Sequence, residues 1–455
     1  MLAKGCPGMK TPNPFRELNR RLAAENPVFL HEIVAKSAGT SAAPDYSRRL
    51  HYPRIGIYRG KGASHSWLWF VEIFDRAGLY DLCFLTEAQI RTDGLDDMDI
   101  LVMSGGDTFA VAEALNRRGA ENIRSFIERG GLYVGSCAGA YLPLNSSKEH
   151  LNLFNFVPAK ITNVTSILPE ARRFKQKFCT SYGCSFIFHP VRESIRIKTN
   201  GFPPFRGAGD LEAPLYGGPP MTVGESSQIL ATYAAFTEKT LFLVDESLAE
   251  ETLLGKAAVI RHGMGHGHLQ LYGPHFEHPH YPVANDLLIR ALYWDMPHSR
   301  PPARHRSPEP WEIKDLEAKQ FVTDIKRQIS NGRIVATGLE ILPLSWQIGN
   351  KIYEAAKIRV FLETIWQRIR ILEKLDKIIV SEKEKLVLLE TLSEIVLLLR
   401  TIKKGLKHTQ ATPHSGQDMF AKLNDACALF LKIYFESMAS AFKKKATLGK
   451  TTTVL

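Results

Sequence analysis

The run Gly130-Gly-Leu-Tyr-Val-Gly-Ser-Cys-Ala-Gly-Ala-Tyr-Leu142 restricts what this chain can fold into more than any other segment. A short apolar stretch leads into Gly-Ser-Cys-Ala-Gly, and helix-forming residues follow at once, which is the strand, sharp turn and helix of a nucleophile elbow. Small residues on both sides of Cys137 let the backbone turn tightly and hold the thiol at the carboxyl end of the strand. The amide of Ala138 then points into the same space as the sulfur. Partial positive charge at a helix start favours thiolate, so the position that exposes Cys137 would also lower its pKa. The competing reading is a small buried core residue, as free cysteines commonly are.

The surrounding pattern agrees with a parallel sheet covered by helices. Strands are expected at Arg54–Tyr58, Leu82–Leu85, Ile100–Met103 and Leu132–Val134, and helices at Ser66–Ala77, Phe109–Arg117 and Ile123–Arg129. Further strands are expected at Ile229–Tyr233, Leu241–Val244, Ala257–Arg261 and Leu269–Tyr272. The last two flank the glycine-rich turn His262-Gly-Met-Gly-His-Gly267, a hairpin signal that sets antiparallel strands beside the parallel ones. A helix near Val283–Leu292 follows.

At 455 residues, two or three domains are expected. Residues 1–50 read as an N-terminal extension, 51–296 as the α/β domain and 297–310, with its five prolines, as a linker. Residues 311–445 read as a basic α-helical bundle, with helices at roughly Trp311–Ile329, Trp346–Leu375, Ser381–Lys404 and Met419–Lys443, and 446–455 as a tail. Ser381 and Glu384 form a capping box.

A thiol nucleophile needs a base, and the base needs an orienting group. Gly273-Pro-His-Phe-Glu277 offers both, because residues two apart in an extended loop point to one side, which lets His275 and Glu277 pair. Ser104-Gly-Gly-Asp-Thr108 follows an apolar strand and leads into a helix, so its glycines would let backbone N–H groups approach a substrate oxygen.

These three motifs, in this order, resemble the class I glutamine amidotransferase-like superfamily. The nearest branch is the one found at the N-terminus of biotin-protein ligases and in free-standing bacterial proteins. Leu215-Tyr-Gly-Gly-Pro219 and the Lys256–Gly273 hairpin also look like that branch, and the resemblance spans about Arg54–Trp294. It implies a flavodoxin-like three-layer α/β/α domain with added antiparallel strands. It also implies Cys137 as nucleophile, His275 as base and Glu277 as its orienter, with Ala138, Gly105, Gly106 and Asp107 lining the oxyanion and substrate site. The chain departs from the pattern in lacking a recognisable ammonia-receiving synthetase and a Gly-Arg-Gly-Arg-type biotin-adenylate loop, so a biotin ligase is not expected.

Other features are given their plainer readings. Six of the fifteen histidines fall between His262 and His280, but no zinc spacing completes the set, and neither metal nor cofactor is expected. Gly60-Lys-Gly-Ala-Ser64 lacks both phosphate-loop fingerprints and is expected at the pocket rim. Cys179 and Cys184 are read as structural, and six cysteines spread over this length fit a reducing compartment. The net charge of +11 arises mostly after residue 300, where Lys and Arg on the wet faces of helices are the simplest account. A protein partner through 311–445 ranks above an anionic membrane or nucleic acid, which is not expected. No apolar run is long enough to span a bilayer and no Sec signal opens the chain, so a cytoplasmic location is expected, with signal-independent export left open.

The resulting expectation is a cysteine-dependent amidase or amidotransferase-like hydrolase acting on a small amide or γ-glutamyl-type carbonyl. The alternative is a catalytically silent binding module of the same fold whose helical region docks a partner.

Overall fold

The computed structural model describes residues 53–170, 186–296, 311–349, 351–406 and 413–448. The N-terminal extension, Cys179 with Cys184, the proline-rich linker and residues 449–455 of the tail lie outside the described residues.

Twelve strands form one sheet. Four short apolar strands come first: β1 (Ile55–Tyr58), β2 (Leu82–Leu85), β3 (Ile100–Met103) and β4 (Leu132–Ser136). Eight more follow: β5 (Ala159–Ile161), β6 (Val191–Thr199), β7 (Leu211–Leu215), β8 (Met221–Val223), β9 (Ser227–Phe236), β10 (Leu241–Phe242), β11 (Ala257–Met264) and β12 (Gly267–Tyr272). The strands β2-β1-β3-β4-β12 are parallel neighbours in that order, the flavodoxin-like arrangement. β11 turns back on β12 through Gly265 and starts the antiparallel half, where β9, β6, β7 and β10 follow. β6 and β7 had no strand signal strong enough to stand out, because β6 alternates Arg192, Arg196 and Lys198 with its buried Ile195 and Ile197.

Six helices cover this sheet or connect its strands: α1 (Trp67–Ala77), α2 (Glu87–Ile90), α3 (Thr108–Glu128), α4 (Ala138–Tyr141), α5 (Glu246–Leu253) and α6 (Pro282–Asp295). Alternation within the strands separates two cores. Ile55, Ile57, Ile100, Val102, Leu132 and Val134 pack with α1 and α6, while Leu101, Met103, Tyr133, Leu269 and Leu271 pack with α3 on the opposite face. Parallel strands buried on both sides give the three layers. The two helices expected at Phe109–Arg117 and Ile123–Arg129 are the halves of α3, which breaks at Asn116 (φ 52°).

The C-terminal region is helical: α7 (Asp315–Glu340), α8 (Ala356–Leu372), α9 (Glu382–Leu406) and α10 (Pro413–Leu448). The Ser381–Glu384 capping box is present, with Glu384 N–H donating to Ser381 Oγ at 3.3 Å and Ser381 N–H to Glu384 Oε2 at 2.9 Å. Four short strands accompany the helices, namely β13 (Glu312–Lys314), β14 (Ser345–Ile348), β15 (Lys351–Glu354) and β16 (Lys377–Ile379). β14 and β15 form a hairpin where a helix was expected to begin at Trp346. Gly349, which follows β14, takes the positive φ of 60° that suits a glycine there.

The helical region packs on α1 and β2. Arg368 of α8 is buried between Glu72 Oε2 (3.1 Å) and Asp75 Oδ2 (2.9 Å), and Tyr434 Oη donates to Asp75 Oδ1 at 3.1 Å. Trp67 Nε1 donates to Asn424 Oδ1 at 2.9 Å, and Phe435 packs against Tyr80 and Phe84. Among the described residues no helix is long and apolar enough to cross a membrane.

Candidate active site

Cys137 follows the last residue of β4 with φ 51° and ψ −107°, a conformation that costs energy for any residue with a Cβ and persists only when its surroundings enforce it. Here they do. Cys137 N–H donates to Tyr272 O at 2.9 Å, tying the turn to the end of β12, and Gly139 N–H donates to Ser104 O at 3.2 Å. Tyr133 Oη donates to Gly139 O at 2.7 Å and Thr108 Oγ1 to Ala138 O at 3.3 Å. The glycines are required by close approach: a Cβ on Gly139 would lie 1.9 Å from Met103 O, and one on Gly135 would lie 2.2 Å from Gly139 O.

The loop after β12 supplies the pair facing this thiol. His275 Nδ1 and Glu277 Oε1 are 2.6 Å apart, and both side chains are buried. The backbone places them: His275 N–H donates to Pro214 O at 2.9 Å, and Asn285 Nδ2 donates to Phe276 O at 2.6 Å. Ser136 joins the group, its Oγ donating to the Glu277 carboxylate at 2.8 and 3.0 Å. With Nδ1 committed to Glu277, the other ring nitrogen is left for Cys137, which lies near enough for the imidazole to act on its thiol. Ser136 was not singled out from the sequence. The signal was its place on the strand beside the elbow, which registers it against Tyr272 and hence against the His275 loop.

Electrostatics follow from this geometry. Burial pushes the Cys137 thiol up, but hydrogen bonding and charge from His275, with a further contribution from Lys351, bring it below the ordinary thiol value. Burial acts to lower His275, yet the charge of Glu277 and the hydrogen bonds to Cys137 and Glu277 raise it to about 10. Both shifts favour a thiolate–imidazolium pair.

The residues expected to line the oxyanion and substrate site surround the same point. Ala138 follows Cys137 at the start of α4. A Cβ on Gly105 would lie 2.9 Å from His275 Cε1 and 3.5 Å from Cys137 Cβ, so its Cα packs directly on the pair. Gly106 sits against the 60–64 loop, where a Cβ would lie 2.1 Å from Gly62 O, and Asp107 N–H donates to that same carbonyl at 2.8 Å. That loop thus lies beside the Gly105–Asp107 turn, with Lys61 paired to Glu113 at 3.0 Å. Asp107 reaches the pocket while its Oδ1 accepts from Phe109 N–H and Ala110 N–H at 3.2 and 3.3 Å, which makes it the N-cap of α3.

The pocket at Cys137 is small, about 40 Å³, room for a few waters. Its wall includes Tyr141, His189 and, from the hairpin of the C-terminal region, Lys351. Trp69 stands edge-on to His275 at 5.2 Å and Tyr216 flanks it at 5.7 Å, and Tyr216 also lines a larger cleft of about 560 Å³ with His278 and Tyr281. The dense histidines have separate local roles. His262 Nδ1 is 2.8 Å from Ser227 Oγ, and His278 Nδ1 accepts from His280 N–H at 3.3 Å. No group of three or more His, Cys, Asp or Glu that could hold a metal occurs among the described residues.

With the elbow, the facing pair and the sheet order in place, comparison with known proteins bears on the first half of the α/β region. Residues 54–149 match the family described as biotin-protein ligase, N terminal. The match agrees with the resemblance carried by the motifs, and it includes Gly105 and Cys137 but ends before His275. Two curated relatives of the chain are uncharacterized peptidases. One from Listeria innocua serovar 6a is 27% identical over 139 residues, and one from Listeria monocytogenes serovar 1/2a is 28% identical over 136 residues. Each alignment covers 25% of this chain and 66% of the relative, just short of two thirds of its length. Among solved structures, a glutamine amidotransferase from Thermotoga maritima aligns at 11% identity over 50% of this chain and 77% of its own, with a TM-score of 0.31.

Proposed function

We propose that the chain is a cysteine hydrolase of the amidase or amidotransferase type, acting on a small amide or γ-glutamyl-type carbonyl. The observation that carries this reading is the burial of a hydrogen-bonded His275–Glu277 pair against a thiol held at φ 51° on a strand-to-helix elbow. In this reading the Cys137 thiolate attacks the carbonyl carbon while the N–H groups of Ala138 and of Gly105 or Gly106 take up charge on its oxygen. His275 gives its proton to the leaving amine, which departs as the thioester forms. Water then attacks the thioester with His275 as base, releasing the acid and restoring the thiol. Glu277, held by Ser136, keeps the imidazole oriented and stabilises its charge. The two peptidase relatives support hydrolysis of a carbonyl substrate as the class of reaction.

The test is labelling of the purified chain with an electrophilic glutamine analogue, followed by peptide mass spectrometry. Cys137 should react well ahead of Cys83 and Cys427, and Cys137→Ala should abolish hydrolysis of any amide the protein turns over. Equal labelling of the three cysteines, together with amide hydrolysis unchanged in Cys137→Ala, would sink the reading.

A further inference from the structure

The hairpin β14–β15 belongs to the C-terminal region, yet its turn reaches the Cys137 pocket. A Cβ on Gly349 would lie 3.1 Å from Asp107 Oδ2, and Lys351, the first residue of β15, forms part of the pocket wall with Cys137, Ala138 and His189. The hairpin is fixed from behind. Trp346 is buried and meets Phe420 of α10 edge-to-face at 5.8 Å, and Tyr353 packs on the same ring at 4.8 Å. Gly416 backs onto the Trp346 indole so closely that a Cβ there would lie 2.1 Å from it. The hairpin is thus held by α10 with its tip at the pocket.

What it brings is a cation. Lys351 forms no salt bridge with a carboxylate among the described residues, while the nearby carboxylates are already engaged: Asp107 caps α3 and Glu277 holds His275. The pocket is too small for a long acyl chain, and among the described residues its other walls offer no second lysine or arginine. An uncommitted ammonium beside a nucleophilic thiol selects a short substrate that carries its own negative charge.

We propose that Lys351 is a specificity-determining residue, which recognises a carboxylate on a short amide or thioester-forming substrate and makes the C-terminal region part of the substrate pocket. This rests on Cys137 being the nucleophile, and the experiment separates the two claims. Full-length protein is alkylated with iodoacetate, which is anionic, or with iodoacetamide, its neutral counterpart, and the rate is read on the Cys137 peptide. The ratio of the two rates cancels any change in thiolate fraction, since both reagents need the same thiolate.

In the native chain the iodoacetate-to-iodoacetamide ratio should exceed that of the same cysteine in the urea-unfolded chain by about ten-fold, the size of one charge-assisted hydrogen bond. Lys351→Met should remove this preference, Lys351→Glu should reverse it, and Lys351→Arg should retain most of it. A reactive Cys137 whose ratio does not respond to Lys351→Met or Lys351→Glu overturns the assignment of Lys351 and leaves the nucleophile standing. A Cys137 inert to both reagents in the native chain overturns both.

Discussion

At the scale of single residues, the site turns on one ion pair and one tight turn. Because His275 brings the Cys137 thiol below its ordinary value despite burial, thiolate persists at a pH where a free cysteine is protonated. The sign is that of an acid with a lowered pKa: reactivity is full above the shifted value and falls as pH drops through it. His275→Gln removes the stabilising charge and leaves burial, which raises the thiol. The pH midpoint for alkylation of Cys137 should therefore move upward, with a rate at pH 7 at least about ten-fold lower, one pKa unit being a factor of ten in thiolate. A midpoint that stays in place in His275→Gln would show that the histidine does not control the thiol. Gly139→Ala tests the turn itself. Its Cβ would meet the Met103 carbonyl, a backbone atom that cannot swing aside, so a loss of about 3 kcal/mol is expected in urea unfolding. An unchanged midpoint would mean that the elbow has slack the geometry does not show.

At the scale of elements, the contact between α8 and α1 depends on a buried arginine. Arg368 is almost wholly enclosed and faces both Glu72 and Asp75, so truncating it leaves carboxylates with no cation in a poorly solvated place. Arg368→Ala should cost about 3 kcal/mol, as removal of one partner from a buried pair does. Burial raises the Asp75 carboxyl above the usual range even with Arg368 present. Protonated Asp75 no longer needs a cation, so the difference between Arg368→Ala and wild type should shrink as pH falls through that raised value. A penalty independent of pH would assign the loss to packing. Residues such as these also show what could be read from sequence. The elbow, the His-x-Glu loop and the four parallel strands are local patterns, each contained in about ten residues, and all were legible. Ser136, Lys351 and the α8–α1 contact depend on segments up to about 300 residues apart meeting in space. The β14–β15 hairpin was missed for a different reason: its apolar residues also fit a helix face, and Gly349 alone was outweighed by the helical pattern around it.

At the scale of the molecule, the question is whether the C-terminal region is an appendage or part of one folding unit. The basic excess suggested a surface awaiting a partner, yet much of the charge is spent within the chain. Lys326 pairs with Glu373, Arg333 with Glu363 and Lys385 with Glu317 between elements of the region, and Arg59 of the α/β domain with Asp425 of α10. Apolar contact continues across the junction, since Phe321, Ile365 and Phe435 belong to the same buried cluster as Ile55, Val102 and Val134. A core shared in this way couples the two parts, so that losing either exposes apolar surface of the other. The full chain should therefore unfold in urea as a single transition. Tryptophan fluorescence, with Trp67 and Trp69 on the α/β side, should coincide with the loss of helical circular dichroism, to which α7–α10 contribute most. Two separated transitions would show that the parts fold independently, and a chain cut at residue 296 would then stay soluble and as stable as before. If the transition is single, the same cut should lower the stability of the α/β domain and expose Trp67, Tyr80 and Phe84. It would also remove Lys351 from the pocket, so that the fold's cohesion and the composition of the site would fail together.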